Sequence, residues 1–432
     1  MPAKATPVSL DYFSDYSLLG NPYAYFEQIR ALGPVALVGD PPVAFVTGFD
    51  EAVTVLNDSE RFSSLISATG PRTRLPFVPM GDDITGQIAA NRDPASPLAL
   101  LVTYDGREHT YNRGLVARLL TPYRLKANQE FMRRYASRAV AAAVAEGRCE
   151  LIDRIAAPFV TSVIADLLGV PEADRIRFKD CIRAAPPAGS LEDVTAETPA
   201  APLQYMFEFF WTYLSERRES PRDDVMSELA QARYPDGSEP PIIELVKASM
   251  FLFAAGQDTA ALLIGNSLRY LSDHPELQQR LREEPTLIPK FIEEMMRLEG
   301  SLKMTSRITA KSTSVGGVAL PAGTPVAVIL AAANRDARMW QNSGSFDLER
   351  PQLKQQIGFS RGPHTCLGAP LARAEVAIML EEFLQQTASI AIDERQHGPL
   401  TDRHYLHVPS FMNHGVKALH LTLTPRTPSH GP

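Results

Sequence analysis

Cysteine is scarce in this sequence, and its scarcity excludes several classes of protein. Only Cys149, Cys181 and Cys366 occur among 432 residues, and none of them forms a CxxC pair. Neither a disulfide framework nor a cysteine zinc site is therefore expected. A reducing compartment is favoured, which is most simply the cytoplasm.

Excess positive charge and long apolar runs are also missing. The net charge of −7 argues against nucleic acid as the main partner. The first residues lack the basic and then apolar pattern of a signal peptide. The densest apolar stretch, Ala248–Ala255, is shorter than the ~20 residues that a membrane span needs. We therefore expect a soluble protein without a membrane partner.

Hydrophobic residues, in contrast, make up 44% of the chain, enough to fill a large core. The length suits either two domains or one large domain around a big cofactor. Short strands are predicted at Val35–Val38, Val43–Thr47 and within Thr305–Leu330. A helix from Pro240 to about Asp273 would form a rod of ~45 Å. The other predicted helices are Pro22–Leu32, Asp50–Leu56, Arg107 to about Gly169, Leu203–Arg218, Pro275–Arg282, Leu287–Leu298 and Leu367–Thr387.

Cys366 lies where the last of these long helices begins. An isolated cysteine is more often a small buried hydrophobic residue than a ligand. Here, however, the N–H groups of Leu367, Gly368 and Ala369 are free to point toward the sulfur, which would favour a thiolate. A cysteine serves as an iron ligand only as the thiolate. Cys366 is therefore a candidate metal ligand.

The segment around this cysteine has a specific pattern, F-x-x-G-x-H-x-C-x-G. It resembles the haem-binding signature of the cytochrome P450 family, and the chain is similar to the soluble bacterial type. The matching positions are Phe359, Gly362, His364, Cys366 and Gly368. One departure is Ser360, where the family more often has glycine.

The resemblance implies the fold, the cofactor and the domain organisation. Residues 1–432 would form a single, mainly α domain with small β-sheets, the triangular helical fold of the family. Haem b would lie between the long central helix and the helix that follows Cys366, its iron ligand. Leu367 would contact the haem beside the cysteine, and Gly362 and Gly368 would allow close approach to the flat macrocycle.

A second motif lies in the middle of the long helix, where Ala255-Gly256-Gln257-Asp258-Thr259 resembles the family's oxygen-activation motif. Alone, an Asp-Thr pair is more often an ordinary helix surface. Gly256 and a Thr259 hydroxyl bonded to the i−4 carbonyl would widen the helix beside the haem. Asp258 and Thr259 would deliver the protons that cleavage of the O–O bond needs.

Two further groups of residues match the family by spacing. Glu294 and Arg297 form its E-x-x-R pair, which joins Arg350 in a buried structural network; alone, the pair would be a solvated ion pair. The haem propionates would be bound by His109, Arg113, Arg307 and His364, each of which alone is more often a surface residue.

The resemblance also locates the substrate. The Ser67–Pro97 loop and the Ala184–Pro202 break would form a mobile lid. The pocket would be apolar, which predicts an apolar small molecule, although core packing explains the same residues nearly as well. The predicted lining residues are Leu252, Ala255, Leu302, Met304 and Phe411.

Electrons must come from a separate protein, since the chain has no flavin or nicotinamide motif. We expect a ferredoxin-type donor that docks on the cysteine side of the haem. A scatter of solvated cations explains the basic residues there equally well. They are Arg118, Arg124, Lys126, Arg361 and Arg373.

The leading hypothesis is a monomeric haem-thiolate monooxygenase that uses O2. The alternatives are a peroxide-driven peroxygenase, a haem-binding sensor or carrier without turnover, and a helical protein without haem. Asp258 and Thr259 favour the first, because peroxygenases tend to lose this pair and a carrier does not need it. The substrate's identity is left open by the sequence.

Overall fold

Helices dominate the chain that the computed structural model describes, namely residues 10–93, 96, 99–183, 187–191 and 200–426. The α-helices are α1 (Tyr23–Ala31), α2 (Phe49–Asn57), α3 (Thr85–Ala90), α4 (Gly106–Leu119), α5 (Pro122–Glu146), α6 (Ala157–Leu167), α7 (Glu172–Arg183), α8 (Ala200–Glu219), α9 (Val225–Ala230), α10 (Ile242–Ser272), α11 (Pro275–Glu283), α12 (Ile288–Glu299), α13 (Leu330–Ala333), α14 (Ala369–Gln386) and α15 (Glu394–His397). Short 3₁₀ helices lie at Tyr16–Leu18, Leu101–Thr103, Pro285–Leu287, Leu353–Gln355, Gly362–His364 and Leu400–Asp402. A π-helix, Ile152–Ala156, leads into α6.

In the described part of the chain, the strands form three small sheets. They are β1 (Val35–Val38), β2 (Val43–Val46), β3 (Phe62–Ser63), β4 (Arg148–Glu150), β5 (Thr305–Thr309), β6 (Thr313–Val315), β7 (Val318–Leu320), β8 (Pro325–Val328), β9 (Thr387–Ile392) and β10 (His420–Pro425). The largest sheet has the order β1-β2-β8-β5-β3, in which only β2 and β8 are parallel. The others have the orders β4-β10-β9 and β6-β7. This mainly α architecture with small sheets agrees with the predicted fold class.

The long helix α10 crosses the helical core. It begins directly after Pro241 and packs against α6, α8, α12 and α14. By length and composition it could also span a membrane, which corrects our expectation that no stretch is apolar enough. However, 61% of its most apolar window is buried inside the protein, as expected for a core helix. Its apolar composition therefore follows from contacts on several of its faces.

The region from Arg107 to Gly169 is more divided than its helical spacing predicts. α5 begins after Thr121, whose hydroxyl accepts from Arg124 N, and ends at Gly147, where φ is +68°. Strand β4 and the π-helix follow before α6 starts. The ends of α5 carry ordinary helix signals, a Thr-Pro start and a left-handed glycine stop.

The two predicted lid segments are only partly described. Within the described part of Ser67–Pro97, the short helix α3 interrupts the predicted loop, and the remainder has neither helix nor strand. Residues 94, 95, 97 and 98 lie outside the described residues, as do 184–186 and 192–199 of the Ala184–Pro202 break. Residues 187–191 contact the C-terminal segment, since Phe411 N donates to the Gly189 carbonyl at 2.9 Å.

Candidate functional site

A large cavity of about 270 Å³ lies beside α10. Its walls are α10, the 301–307 segment with the start of β5, the loop before α14, and α14 itself. The residues of the predicted site that line it are His109, Arg113, Leu252, Ala255, Gly256, Thr259, Leu302, Arg307, Phe359, His364, Cys366, Leu367 and Gly368. Residues far apart in the sequence thus meet around one space.

Cys366 presents its sulfur to this cavity from the loop before α14. Its backbone N–H donates to the Phe359 carbonyl at 2.9 Å, which closes the loop. Burial raises the pKa of Cys366, against the lowering effect of the Gly368 and Ala369 N–H groups. The Arg113 guanidinium also lowers it, but the effect of burial is larger. A bound metal ion would displace the thiol proton and complete the thiolate.

The two glycines of the cysteine motif have different neighbours. Gly368 lines the cavity, where a Cβ would lie 3.7 Å from Cys366 Sγ. Gly362 does not line the cavity; its φ is +69°, and a Cβ would collide with the Leu56 carbonyl at the end of α2. Gly362 is therefore needed for close contact with the backbone of α2. We had expected it to allow close contact with the haem. Ser360 has a φ of +61°, which explains why glycine suits this position.

Four potential cations converge at one edge of the cavity. His109 and Arg113 lie on α4, Arg307 on β5, and His364 two residues before Cys366. The His109 and His364 rings are 4.0 Å apart. Burial, and then the nearby Arg307, lower the pKa of His364 to about 2, and burial lowers that of Arg307 to about 10. Basic groups buried together in this way indicate a site for an anion.

Polar neighbours that the motifs did not identify hold these groups in place. Arg307 Nη1 donates to Ser67 Oγ at 2.9 Å, and Ser64 Oγ lies 2.9 Å from His364 Nε2. The Asp105 carboxylate accepts from Ser64 N at 3.0 Å and lies 4.0 Å from His364. Asp105 could have been noticed, because an Asp near the start of a predicted helix is a common N-cap, although here its carboxylate binds Ser63 and Ser64 and does not cap α4.

His109 and Arg113, both on α4, differ in whether their side chains have hydrogen-bond partners in the protein. Arg113 Nη2 donates to the Thr365 carbonyl at 2.7 Å and so binds the loop that carries Cys366. His109 Nε2 is buried and has no hydrogen-bond partner among the described residues. A buried polar group left unpaired costs roughly 1–3 kcal/mol. The imidazole of His109 is therefore available to a ligand in the cavity.

The middle of α10 is shaped by small and hydroxylated residues. Gly256 lines the cavity, and a Cβ added there would lie 3.0 Å from Ile164 of α6. Thr259 Oγ1 donates to the Ala255 carbonyl at 3.1 Å, the i−4 hydrogen bond that we expected. This part of α10 thus presents little side-chain bulk, and its threonine hydroxyl lies at the cavity wall.

Asp258 precedes Thr259 but is not among the residues that line the cavity. It is partly buried, and burial raises the pKa of its carboxyl. The carboxyl has no hydrogen-bond or ion-pair partner among the described residues. An acid of raised pKa therefore lies next to the hydroxyl that faces the cavity.

Glu294, Arg297 and Arg350 form one buried network. Glu294 Oε2 accepts from Arg297 Nε at 2.7 Å, and Oε1 accepts from Arg350 Nε at 3.0 Å. All three are nearly inaccessible, with 0%, 1% and 7% exposure. Arg297 also donates to the Asn334 carbonyl, and Asn334 Oδ1 accepts from Ile357 N, both at 2.9 Å. The network thus reaches the chain just before the cysteine loop.

The predicted substrate-lining residues divide into two groups. Leu252, Ala255 and Leu302 line the cavity. Met304 is fully buried in the core beside the main sheet, and Phe411 packs against Gly70 and Phe13, so neither lines it. Thr305 and Arg307 of β5 line the cavity, and Met304, directly before this strand, faces the opposite side. Lining residues that the sequence did not single out include Leu101, Val102, Val116, Leu120, Phe251, Ala260, Leu263 and Met296.

Glu375 on α14 is a further residue that the motifs did not identify. It lines the cavity, is only 2% exposed, and its Oε1 has no hydrogen-bond partner among the described residues. Burial raises the pKa of its carboxyl well above the ordinary value. A glutamate within the apolar face of a predicted core helix was the signal that could have revealed it.

We expect Glu375→Gln to stabilise the protein at neutral and alkaline pH, by about 1–2 kcal/mol. Because the folded-state pKa is raised, the glutamate contributes most below its unfolded pKa, and this contribution is lost as the pH rises toward the folded pKa. Glutamine removes that loss. Urea unfolding of both proteins between pH 4.5 and 8.5 should show a difference that grows with pH; a constant difference would contradict the argument.

Comparison with known proteins gives a consistent picture. A sequence profile of the cytochrome P450 family matches residues 130–408. Cytochrome P450(BM-1) of Priestia megaterium is 32% identical over 373 residues, 85% of this chain and 87% of the relative. The monooxygenase PikC of Streptomyces venezuelae is 30% identical over 405 residues, 92% of this chain and 90% of the relative.

A solved structure extends the likeness over nearly the whole length. Mycobacterium marinum cytochrome P450 CYP150A6, in its substrate-free form, is 43% identical with a TM-score of 0.90, covering 97% of this chain and 99% of that one. The predicted fold class and haem cofactor are thereby confirmed. The chain belongs to the cytochrome P450 family of haem-dependent monooxygenases.

Proposed function

We propose that this protein inserts one oxygen atom from O2 into a neutral, apolar small molecule, with Cys366 as the iron ligand. The observation that carries the proposal is the position of the Cys366 sulfur, open to a cavity whose edge collects four basic side chains. Haem b fits these residues, since it combines an iron that takes a thiolate with two carboxylates that need donors.

His109, Arg113, Arg307 and His364 would bind the two haem propionates. The unpaired His109 Nε2 and the lowered pKa values of Arg307 and His364 are what is expected of basic groups buried together with a single carboxylate, Asp105, nearby. When bound, the haem supplies a redox-active iron at which O2 is activated. The protein's own part is to hold the thiolate, position the substrate and deliver protons.

Proton delivery would be the task of Asp258 and Thr259. Asp258 would be the acid that supplies the protons, and burial raises the pKa of its carboxyl. Thr259 Oγ1, now bonded to the Ala255 carbonyl at 3.1 Å, would pass protons to the cavity. A hydroxyl next to an acid is a short relay between the protein exterior and the reaction site.

The substrate-facing wall supports an apolar and uncharged ligand. Its side chains are mainly aliphatic, with Leu101, Val102, Leu252, Ala255 and Leu302 among them. CYP109E1 from Bacillus megaterium, with 26% identity and a TM-score of 0.77, has been solved with corticosterone. A molecule of comparable polarity suits this cavity.

Electrons would come from a ferredoxin-type protein that docks on the cysteine side. Of the basic residues proposed for that surface, Arg124 is paired with Glu228 and Arg373 with Glu293, with an Arg373 Nε to Glu293 Oε1 distance of 2.5 Å. Arg118 and Lys126 are exposed. We infer a basic patch centred on Arg118 and Lys126, with less positive charge than the five residues would give if all were unpaired. We also propose that the protein is a single-domain monomer and that it is located in the cytoplasm.

The proposal is tested by the spectrum of the reduced, CO-bound protein. A Soret band at the position characteristic of thiolate-ligated haem is expected. Turnover of an apolar substrate should require a ferredoxin, its reductase and O2. Turnover with peroxide alone, at the same rate, would instead favour a peroxygenase, and a band at the position of histidine-ligated haem would refute the thiolate assignment.

We expect Asp258→Asn to slow product formation by about 10²-fold, the scale of a lost general acid. Asparagine keeps the size of the side chain but cannot release a proton. Substrate affinity should change little, because residue 258 does not line the cavity. Comparing product formed with O2 consumed provides the measurement. An unchanged ratio of product formed to O2 consumed would contradict the proton-delivery role. Adding Gln257→Glu to the Asp258→Asn protein, which places a carboxyl one residue earlier, is not expected to restore product formation.

A further inference from the structure

Hydroxyl groups are the main uncharged polar side chains of the cavity wall outside the loop that carries Cys366. Ser67, Thr259, Ser301 and Thr305 supply them. Each such group either has a partner in the protein or is available to a ligand, because a buried hydroxyl without a hydrogen bond is unfavourable. Their hydrogen bonds therefore indicate where a ligand's polar atom would bind.

Three of the four hydroxyls are already engaged. Ser67 Oγ donates to the Ser306 carbonyl at 2.7 Å and accepts from Arg307 at 2.9 Å. Thr259 Oγ1 donates to the Ala255 carbonyl at 3.1 Å. Thr305 Oγ1 accepts from Arg307 Nη1 at 3.2 Å. The positions of these oxygens are thus set by the protein.

The hydroxyl of Ser301 has no hydrogen-bond partner within the described part of the chain. Yet Ser301 is only 4% exposed, and it lines the cavity. Its backbone is fixed, since its carbonyl accepts from His414 N at 2.8 Å and the next residue, Leu302, pairs with Asn413. Ser301 is therefore a preorganised, unpaired polar group in a mainly aliphatic wall.

Resting on the proposed function, we propose that Ser301 determines specificity by hydrogen-bonding a neutral oxygen of the substrate. The substrate class is then an apolar skeleton that carries a carbonyl or hydroxyl group, rather than a plain hydrocarbon or a charged molecule. A charged group is disfavoured because the basic residues at the cavity edge would be engaged by the haem. A site with a committed hydroxyl discriminates against an analogue that lacks the matching oxygen.

Ligand pairs that differ by one oxygen test this assignment in the haem-bound protein. We would titrate cyclododecane against cyclododecanone, adamantane against 2-adamantanone, and 5α-androstane against 5α-androstan-17-one, and follow the Soret shift. In at least one pair the ketone should bind the wild-type protein about tenfold more tightly, the value of one net hydrogen bond. Ser301→Ala should bring that ratio near one, and Ser301→Thr, which retains the hydroxyl, should preserve it.

Leu302→Ala is the matched control on the neighbouring residue. It shortens an apolar lining side chain, so both members of a pair should bind more weakly and their ratio should stay at the wild-type value. A wild-type ratio near one in every pair, or an unchanged ratio in Ser301→Ala, overturns the assignment. Failure of the proposed function would be seen separately, as absence of the thiolate-type CO band in the wild-type protein.

Discussion

Cys366→Ala is expected to abolish the thiolate-type CO band and to reduce monooxygenase activity to below roughly 0.1% of wild type, the scale for loss of an essential catalytic group. The sulfur of Cys366 opens directly into the cavity, whereas the other cysteines are buried elsewhere, Cys149 in β4 and Cys181 in α7. No other thiol can therefore replace it.

The fold should survive this substitution. The hydrogen bond from residue 366 to the Phe359 carbonyl is a backbone bond, which alanine retains, and Arg113 still holds the Thr365 carbonyl. Thermal unfolding of the haem-free protein should change little. Cys181→Ala is the matched control and should keep the CO band. If the Cys366→Ala variant kept the thiolate-type CO band, the ligand assignment would be contradicted. A CO band at the wavelength of histidine-ligated haem would indicate that His109 or His364 has replaced the sulfur.

Much of the helical frame could be predicted because local signals agree with tertiary packing. α10 has a double proline at its start and apolar spacing throughout, and α14 follows directly on the cysteine motif. The breaks between α4, α5 and α6 were harder, although Pro122 and Gly147 mark them. The short strand β4 could not be predicted, since it pairs with β10 from the far end of the chain.

At the site, the residues with a distinctive spacing were located and their neighbours were not. Met304 shows the limit, because a change of one position in an extended segment moves a side chain from the cavity to the core. Ser301 and Glu375 resemble ordinary serine and glutamate residues in the sequence. Only the three-dimensional structure shows that Glu375 Oε1 is buried without a partner, and that the Ser301 hydroxyl has no partner among the described residues.

Glu294→Gln is expected to destabilise the protein by about 3–5 kcal/mol, because it leaves two buried arginines without their anion. The carboxylate accepts from Arg297 through both oxygens, at 2.7 and 2.8 Å, and from Arg350 at 3.0 Å. It also accepts from Asp347 N at 3.0 Å. A glutamine has one oxygen, and its NH₂ group would face a guanidinium. The loss should be seen in urea unfolding.

Haem retention should fall together with stability, since the same network supports the cysteine loop. Arg297 holds the Asn334 carbonyl, and Asn334 Oδ1 holds Ile357 N, two residues before Phe359. Glu293→Gln, next to it on α12, is the matched control. Glu293 accepts from Gln356 Nε2 at 3.0 Å, a bond that a glutamine oxygen can keep, and it pairs with Arg373, which is 41% exposed; such an ion pair contributes roughly 0–1 kcal/mol. If Glu294→Gln and Glu293→Gln lost equal amounts of stability, the burial of the Glu294 network would not be the reason for its contribution to the free energy of unfolding. A stable Glu294→Gln protein that nevertheless loses haem would place that contribution in the loop alone.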